Sequence, residues 1–446
     1  MPIPWTPDSW KQRPAAQQPV YEDPRELAET LAVLRRLPPL VTSWEVDRLR
    51  SQIAAAQRGD AWVLQGGDCA ESFADCNADS IASKIKVLLQ MSLVLIFRSK
   101  RPIVRIGRIA GQYAKPRSQD REVRGDVELP SYRGDLINRA AFTVDHRRHD
   151  PQLLLRGYER AALTLNFIRA LSEGGFADLH HPENWDLDFV SSSPEYDQYR
   201  RLVDSLRDAL TFIDVISERP LRELGRVDFY TSHEALHLHF EQALTRKSIR
   251  GTGWYNLGTH FPWIGERTRA VGGAHVELMR GIKNPIGVKI GPQATPDELL
   301  DLLRRLNPDD EPGRMTLIHR MGSQQIDSAL PPLLHAIRES GRAVLWVCDP
   351  MHGNTVATET GHKTRRFDDI LEELRQAFAI HRQCGSWLGG VHLELTGENV
   401  TECVGGSRGL TEADLESAYN SFCDPRLNYE QSMEIAFAIA DRISAK

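Results

Sequence analysis

The chain has 446 residues, with 55 Lys+Arg against 61 Asp+Glu and a formal net charge of −6, a balance that leaves no electrostatic footprint for nucleic acid. Hydrophobic residues make up 41% and charged residues 26%, an ordinary globular ratio that excludes disorder as the main state. The longest apolar run, Val87–Phe97, is 11 residues with Gln90 inside it, short of the roughly 20 a membrane span needs; the N-terminus MPIPWTPDSWKQRP carries no targeting pattern, so a soluble, cytoplasmic protein is expected.

Residues 1–60 are Pro-rich, with one helical stretch at Arg25–Leu37, and read as an extension laid on a body, expected to make oligomer and regulatory contacts rather than to build the body itself. From residue 61 to the end, eight short β-rich runs recur: Ala61–Leu64, Pro102–Ile106, Val227–Tyr230, Trp254–Leu257, Ile286–Ile290, Met315–Ile318, Ala343–Val347 and Val391–Leu395. Amphipathic helix patterns alternate with them. Thr295-Pro-Asp-Glu298 is a capping box leading into Leu299, Leu302, Leu303 and Leu306, and Phe367, Ile370, Leu371, Leu374 and Phe378 keep the helical period. Alternation of this kind implies parallel strands with right-handed crossovers, and eight units favour a closed (β/α)8 TIM barrel of about 250 residues. The excess falls in the extension and in residues 145–220, where helix patterns at Pro151–Leu171 and Tyr196–Ile213 flank a polar loop, Asp178–Asp188. This stretch is expected to be an inserted helical layer.

In a parallel barrel, side chains just past the C-terminal strand ends converge on one mouth. Collecting them brings together a cationic set, Arg108, Lys115, Arg117, Arg267, Lys289 and Arg320, whose natural counterparts are the phosphates and carboxylates of a small, multiply anionic substrate. Taken singly, each cation reads as readily as a solvated surface charge, least so Lys289 and Arg320, which lie at or beyond apolar strands. A second set, Cys69, His352, Glu394 and Asp424, mixes soft, borderline and hard donors; it suits Mn, Fe, Co or Zn and matches Mg poorly. Here too the alternatives stay open: Cys69 as a small buried hydrophobe, His352 as a helix cap, Glu394 paired with a barrel lysine, Asp424 as a turn residue. The six cysteines contain no Cys-x-x-Cys pair, which argues against a disulfide framework or a zinc ribbon.

The motifs WTPDSW (5–10), PAAQQP (14–19), LQGGDCAESF (64–73), RIAGQYAKPRS (108–118), LPSYRGD (129–135), YTSHEAL (230–236), WIGERTR (263–269), NPIGVKIGP (284–292), CDPMHGNT (348–355), KTRRFD (363–368), TGENVTECVGG (396–406) and CDPRLN (423–428) run nearly end to end. In them the chain resembles the class II 3-deoxy-D-arabino-heptulosonate 7-phosphate (DAHP) synthases, with Pro262 a small departure. The resemblance implies a barrel enzyme condensing phosphoenolpyruvate with D-erythrose 4-phosphate and water, with release of phosphate, at the first step of the shikimate pathway. It implies one divalent ion, Mn2+ or Co2+, on Cys69, His352, Glu394 and Asp424. Phosphoenolpyruvate would be held by Arg108, Glu266, Arg267, Lys289 and Arg320, and the aldose phosphate and its carbonyl by Lys115, Arg117 and Ser118. Lys115 would then deliver a proton to the aldehyde oxygen, and Glu266 would position or deprotonate the attacking water. A homo-oligomer feedback-inhibited by an aromatic amino acid is also implied. The rivals are a different metal-dependent aldolase-type barrel and a non-catalytic binding protein. Because Cys423 precedes Asp424, two thiols are expected at one site, with nearby cations keeping the Cys69 pKa low and a Cys69–Cys423 disulfide forming in oxidised, metal-free protein.

Overall fold

The structure is a computed structural model that describes residues 4–174, 197, 199–201, 203–204, 228–249, 251 and 253–444. Most of the expected helix Tyr196–Ile213 and all of the loop Asp178–Asp188 lie outside the described residues.

Eight parallel strands close into a barrel: β1 (Trp62–Gly67), β2 (Ile103–Arg108), β3 (Phe229–Glu234), β4 (Phe261–Ile264), β5 (Ile286–Ile290), β6 (Met315–His319), β7 (Leu345–Cys348) and β8 (Leu388–Glu394), with β1 hydrogen-bonded to both β2 and β8. Helices cover the outer face, so nearly every strand residue is buried and the runs read as continuous rather than alternating hydrophobics. Helix Pro296–Leu306 starts at its Thr295 cap and buries Leu299, Leu302, Leu303 and Leu306, as its sequence pattern requires. The apolar run 87–97 lies in helix Ala78–Ser99, which by length and composition alone could cross a membrane. Here it packs on β1, β2 and helix Tyr429–Ser444, and its buried Lys84 pairs with Asp68.

The fourth expected strand is corrected. Trp254–Asn256 pairs antiparallel with Thr245–Lys247 in a hairpin outside the barrel, and the barrel strand is Phe261–Ile264. Pro262 hides it, because a residue without an N–H argues against a central strand. The pattern also ends several strands early: β1, β2 and β3 run on to Gly67, Arg108 and Glu234.

The extension is not wholly an arm. Helix Ser43–Gln57, begun by a capping box between Thr42 and Glu45, places Leu49, Ile53 and Ala56, each 0% exposed, in one cluster with the inward-facing Val63, Val104, Ile106, Phe261, Trp263, Ile318 and Val347. It sits at the start of the strands, since Gln57 bonds to Met315 and Gly313 and the Trp387 indole donates to the Ala56 carbonyl. The extension reads from the sequence as laid on the body; within it, residues 43–57 form the barrel's floor. The preceding helix Pro24–Leu34 packs Leu31 and Leu34 against Leu154, Tyr158 and Leu165 of the inserted helix Gln152–Glu173.

Truncating the floor opens a cavity under the barrel. Leu49→Ala or Ile53→Ala should each cost about 2–5 kcal/mol in denaturant unfolding, whereas Val20→Ala, at a position 81% exposed, should stay within about 0.5 kcal/mol. Equal, small effects from all three would show that the helix is not part of the core.

Candidate active site

The register of the barrel sets the site. Gly67 lies opposite Arg108 on one side and Glu394 on the other, so the three share one level at the rim, with Cys69 two residues beyond. Gly67 has φ +140°, and a Cβ there would sit 2.7 Å from the Arg108 carbonyl oxygen. At this level Cys69 Sγ, a Glu394 oxygen and an Asp424 oxygen all lie within 4.8 Å of one another. His352 Nε2 is 3.1 Å from Glu394 Oε1. A thiol and two carboxylates in one cluster, with an imidazole against one of the carboxylates, are a donor set that fits a first-row divalent cation. The imidazole is oriented from behind: His352 Nδ1 is 2.7 Å from Asp349 Oδ2, which also pairs with Lys289, the usual carboxylate support of a ligating histidine.

Buried anions need cations. Glu394, 0% exposed, accepts from Arg108 Nη2 at 2.9 Å and faces Arg365 Nη2 at 2.7 Å. Despite the penalty of burial, His352, Arg365 and Arg108 hold its carboxyl well below the usual range. Burial likewise opposes the charge on Asp349, and His352 and Lys289 overcome it. Lys115 Nζ lies 2.5 Å from both Cys69 Sγ and Asp424 Oδ2; burial works against its charge, but Cys69, Cys423, Asp424 and Glu394 outweigh it and keep the ammonium protonated. For Lys289 the balance tips the other way, and burial brings its pKa down to about 8. The expected low pKa of Cys69 is corrected: burial, the hydrogen bond with Cys423 and the Glu394 charge push its thiol up, and Lys115 only partly offsets them. Cys69 and Cys423 are both free thiols in this structure.

These groups line a cavity of about 310 Å³ that takes in Cys69, His352, Glu394 and Asp424 together with Arg108, Lys115, Glu266, Arg267, Lys289 and Arg320. Arg117 and Ser118 lie beside it, not among its lining residues; the Ser118 hydroxyl accepts from Arg267 Nη2 at 2.9 Å. Two expected roles look different in place. Arg108 spends its guanidinium on the Asp68 and Cys69 carbonyls, His392 and Glu394, so it braces the ligands as well as lining the cavity. Glu266 is held by Arg269 at 3.0 Å and by the Gly291 N–H at 2.7 Å.

Sequence reasoning passed over Asp349, Arg365 and Glu234 as individual residues. Glu234 ends β3, lines the cavity and has a buried Oε1 with no hydrogen-bond partner among the described residues. Burial raises its pKa against the pull of His352, Lys289, Arg108 and Lys115. A Cβ at Gly265 would come within 2.0 Å of that oxygen, so the glycine of WIGER makes room for it. Its position as the last residue of a strand is the available signal, but the apolar run in the sequence ends at Tyr230.

A family profile described as "Class-II DAHP synthetase family" matches residues 5–440. A relative from Streptomyces coelicolor, "Phospho-2-dehydro-3-deoxyheptonate aldolase", is 48% identical over 434 residues, covering 97% of this chain and 96% of its own length. One of the same name from Neurospora crassa is 48% identical over 453 residues, covering 98% and 94%. A solved Francisella tularensis structure of the same name covers 96% of this chain and 98% of its own, at a TM-score of 0.44 and 15% identity. The profile match from end to end and the two relatives at 48% identity show that the chain belongs to the class-II DAHP synthetase family, whose activity is that of a 3-deoxy-7-phosphoheptulonate synthase.

Proposed function

We propose that this enzyme condenses phosphoenolpyruvate with D-erythrose 4-phosphate and water to 3-deoxy-D-arabino-heptulosonate 7-phosphate and phosphate, the first step toward chorismate, with Mn2+ or Co2+ as its ion. The observation that carries this reading is one cavity in which a Cys/His/Glu/Asp donor set stands beside Arg267, Lys289 and Arg320, so electrophile activation and anion binding share one space. A divalent ion on Cys69, His352, Glu394 and Asp424 supplies Lewis acidity to the oxygen that gains charge. Lys289, Arg320 and Arg267 hold the carboxylate and phosphate of the enol phosphate, and Arg117 with Ser118 holds the phosphate of the sugar. Pinning both ends converts an encounter of two mobile anions into a positioned attack. Lys115, protonated and beside the donors, delivers a proton to the aldehyde oxygen as carbon–carbon bond formation charges it. Water must then add to the carbon that bears the phosphate. Glu266 is engaged by Arg269 and Gly291, whereas Glu234 has an oxygen without a partner among the described residues and a raised pKa; Glu234 is therefore the better group to orient that water and take its proton.

Chelation should abolish turnover, with Mn2+ or Co2+ restoring it better than Mg2+; full activity after prolonged chelator treatment and desalting contradicts the donor assignment. In steady-state kinetics Arg320→Ala should raise the KM for phosphoenolpyruvate by about tenfold or more and leave that for erythrose 4-phosphate nearly unchanged, with Arg117→Ala doing the reverse. Matching effects on both substrates from both variants would refute the two-clamp reading. As pH rises through about 8, free enzyme loses the Lys289 proton and with it a cation, so kcat/KM for phosphoenolpyruvate should fall. Lys289→Arg, whose charge does not titrate there, should move that fall to higher pH; a wild-type profile flat from about pH 7 to about pH 9 excludes the role.

A further inference from the structure

Two adjacent glutamines in the extension do the same thing to two different pieces of the barrel mouth. Gln18 Nε2 donates to the Leu236 carbonyl at 2.8 Å, and its Oε1 accepts from the Leu238 N–H at 3.0 Å, which fastens the extension to the turn after β3. Gln17 Nε2 donates to the Arg117 carbonyl at 3.1 Å, and its Oε1 accepts from the Arg117 N–H at 2.9 Å. An amide is the side chain that offers a donor and an acceptor at that spacing, so each glutamine closes a two-point bridge onto backbone that a strand neighbour would otherwise make.

The Arg117 turn needs such a bridge. It is a loop past β2, half-buried at Lys115–Arg117 and exposed from Ser118 on, and Pro116 within it has no N–H to give. Lys115 N–H is held by the Arg133 carbonyl at 2.9 Å, and Arg133 Nη1 in turn reaches the Gln17 carbonyl at 3.4 Å. Gln17 itself sits at φ +62°, one of four non-glycine residues with positive φ among those described. A backbone held in that sparse region persists when its surroundings over-determine it, and here they do: Gln18 anchors one side, Arg133 braces the carbonyl, and the side chain is committed to Arg117.

We propose that Gln17 is a positioning residue for the sugar-phosphate clamp: it holds the Lys115–Ser118 turn so that Arg117 and Ser118 present their side chains toward the aldose phosphate. This rests on the reading that Arg117 and Ser118 serve that phosphate. It gives the Pro-rich extension a part in substrate selectivity: of the phosphoenolpyruvate groups, Lys289 and Arg320 stand on barrel strands or their immediate ends, and Arg267 alone touches this turn, through the Ser118 hydroxyl.

The test uses the full-length, metal-loaded enzyme. Gln17→Met keeps the length and removes both hydrogen-bonding groups. It should raise the KM for erythrose 4-phosphate about tenfold, leave that for phosphoenolpyruvate within about twofold, and leave the melting temperature nearly unchanged. Combined with Arg117→Ala, it should add less than about twofold to the sugar-phosphate KM, because the guanidinium it positions is gone. If Gln17→Met is insoluble, Gln17→Asn, with an amide one methylene too short to span both backbone groups, carries the same expectation. A lowered melting temperature with both KM values unchanged, equal rises for both substrates, or full additivity with Arg117→Ala overturns the positioning role. An Arg117→Ala variant with an unchanged erythrose 4-phosphate KM overturns the underlying assignment instead, and the positioning role with it.

Discussion

A carboxylate taken wholly out of water must be given its countercharges by the protein, and Glu394 at the end of β8 is the place where this requirement organises the site. Arg108 and Arg365 bracket it. Each then does a second job: Arg108 holds the Asp68 and Cys69 carbonyls, and Arg365 donates to the Pro425 carbonyl next to Asp424. The pairs that keep Glu394 ionised thus also place Cys69 and Asp424, from the start and the end of the barrel chain. Removing one partner of such a buried pair costs about 3–5 kcal/mol, because the remaining charge is stranded. Stability and the geometry of this donor cluster are in this sense held by the same bonds.

The same logic repeats one layer out. Asp349 is fully buried and is shared between Lys289 and His352, so a strand lysine facing the substrate cavity is electrostatically tied to the imidazole facing the donors. Asp68, beneath Cys69, is paired with Lys84 and Arg426, and Arg426 continues to Glu402 at 2.8 Å. A mouth rich in cations is tolerable in a net-acidic protein because many of its charges are already matched; Arg320 Nε, buried without a partner among the described residues, is an exception.

The chain before the barrel works at both of its ends. Helix Ser43–Gln57 fills the floor with Leu49, Ile53 and Ala56, while Gln17 and Gln18 reach the loops of the mouth. Its packing on the inserted helix Gln152–Glu173 joins the two additions to each other, so neither hangs as an independent arm on a finished barrel.

What the sequence determined by itself was local or repeated: the alternation of β runs and amphipathic helices, the Thr295 and Phe367 helices, the absence of a disulfide pattern, and a dense set of motifs specific enough to indicate a family. Hydrophobic periodicity reports which residues are apolar, and for that reason it stopped at Leu64, Ile106 and Tyr230 although the strands continue to Gly67, Arg108 and Glu234. Arg108 and Glu234 end their strands as charged residues at the mouth, and β1 ends in two glycines, so the apolar pattern fades where these strands reach the site. Pro262 concealed β4 for a related reason, a local rule overridden by pairing with β3 and β5. Only the tertiary structure decided that a Glu234 oxygen has no hydrogen-bond partner among the described residues, that Arg108 braces the Asp68 and Cys69 carbonyls, that burial raises the Cys69 thiol despite Lys115, and that residues 43–57 belong to the core. Each of these depends on which distant groups share a low-dielectric space, and barrel closure, not neighbouring sequence, brings those groups together.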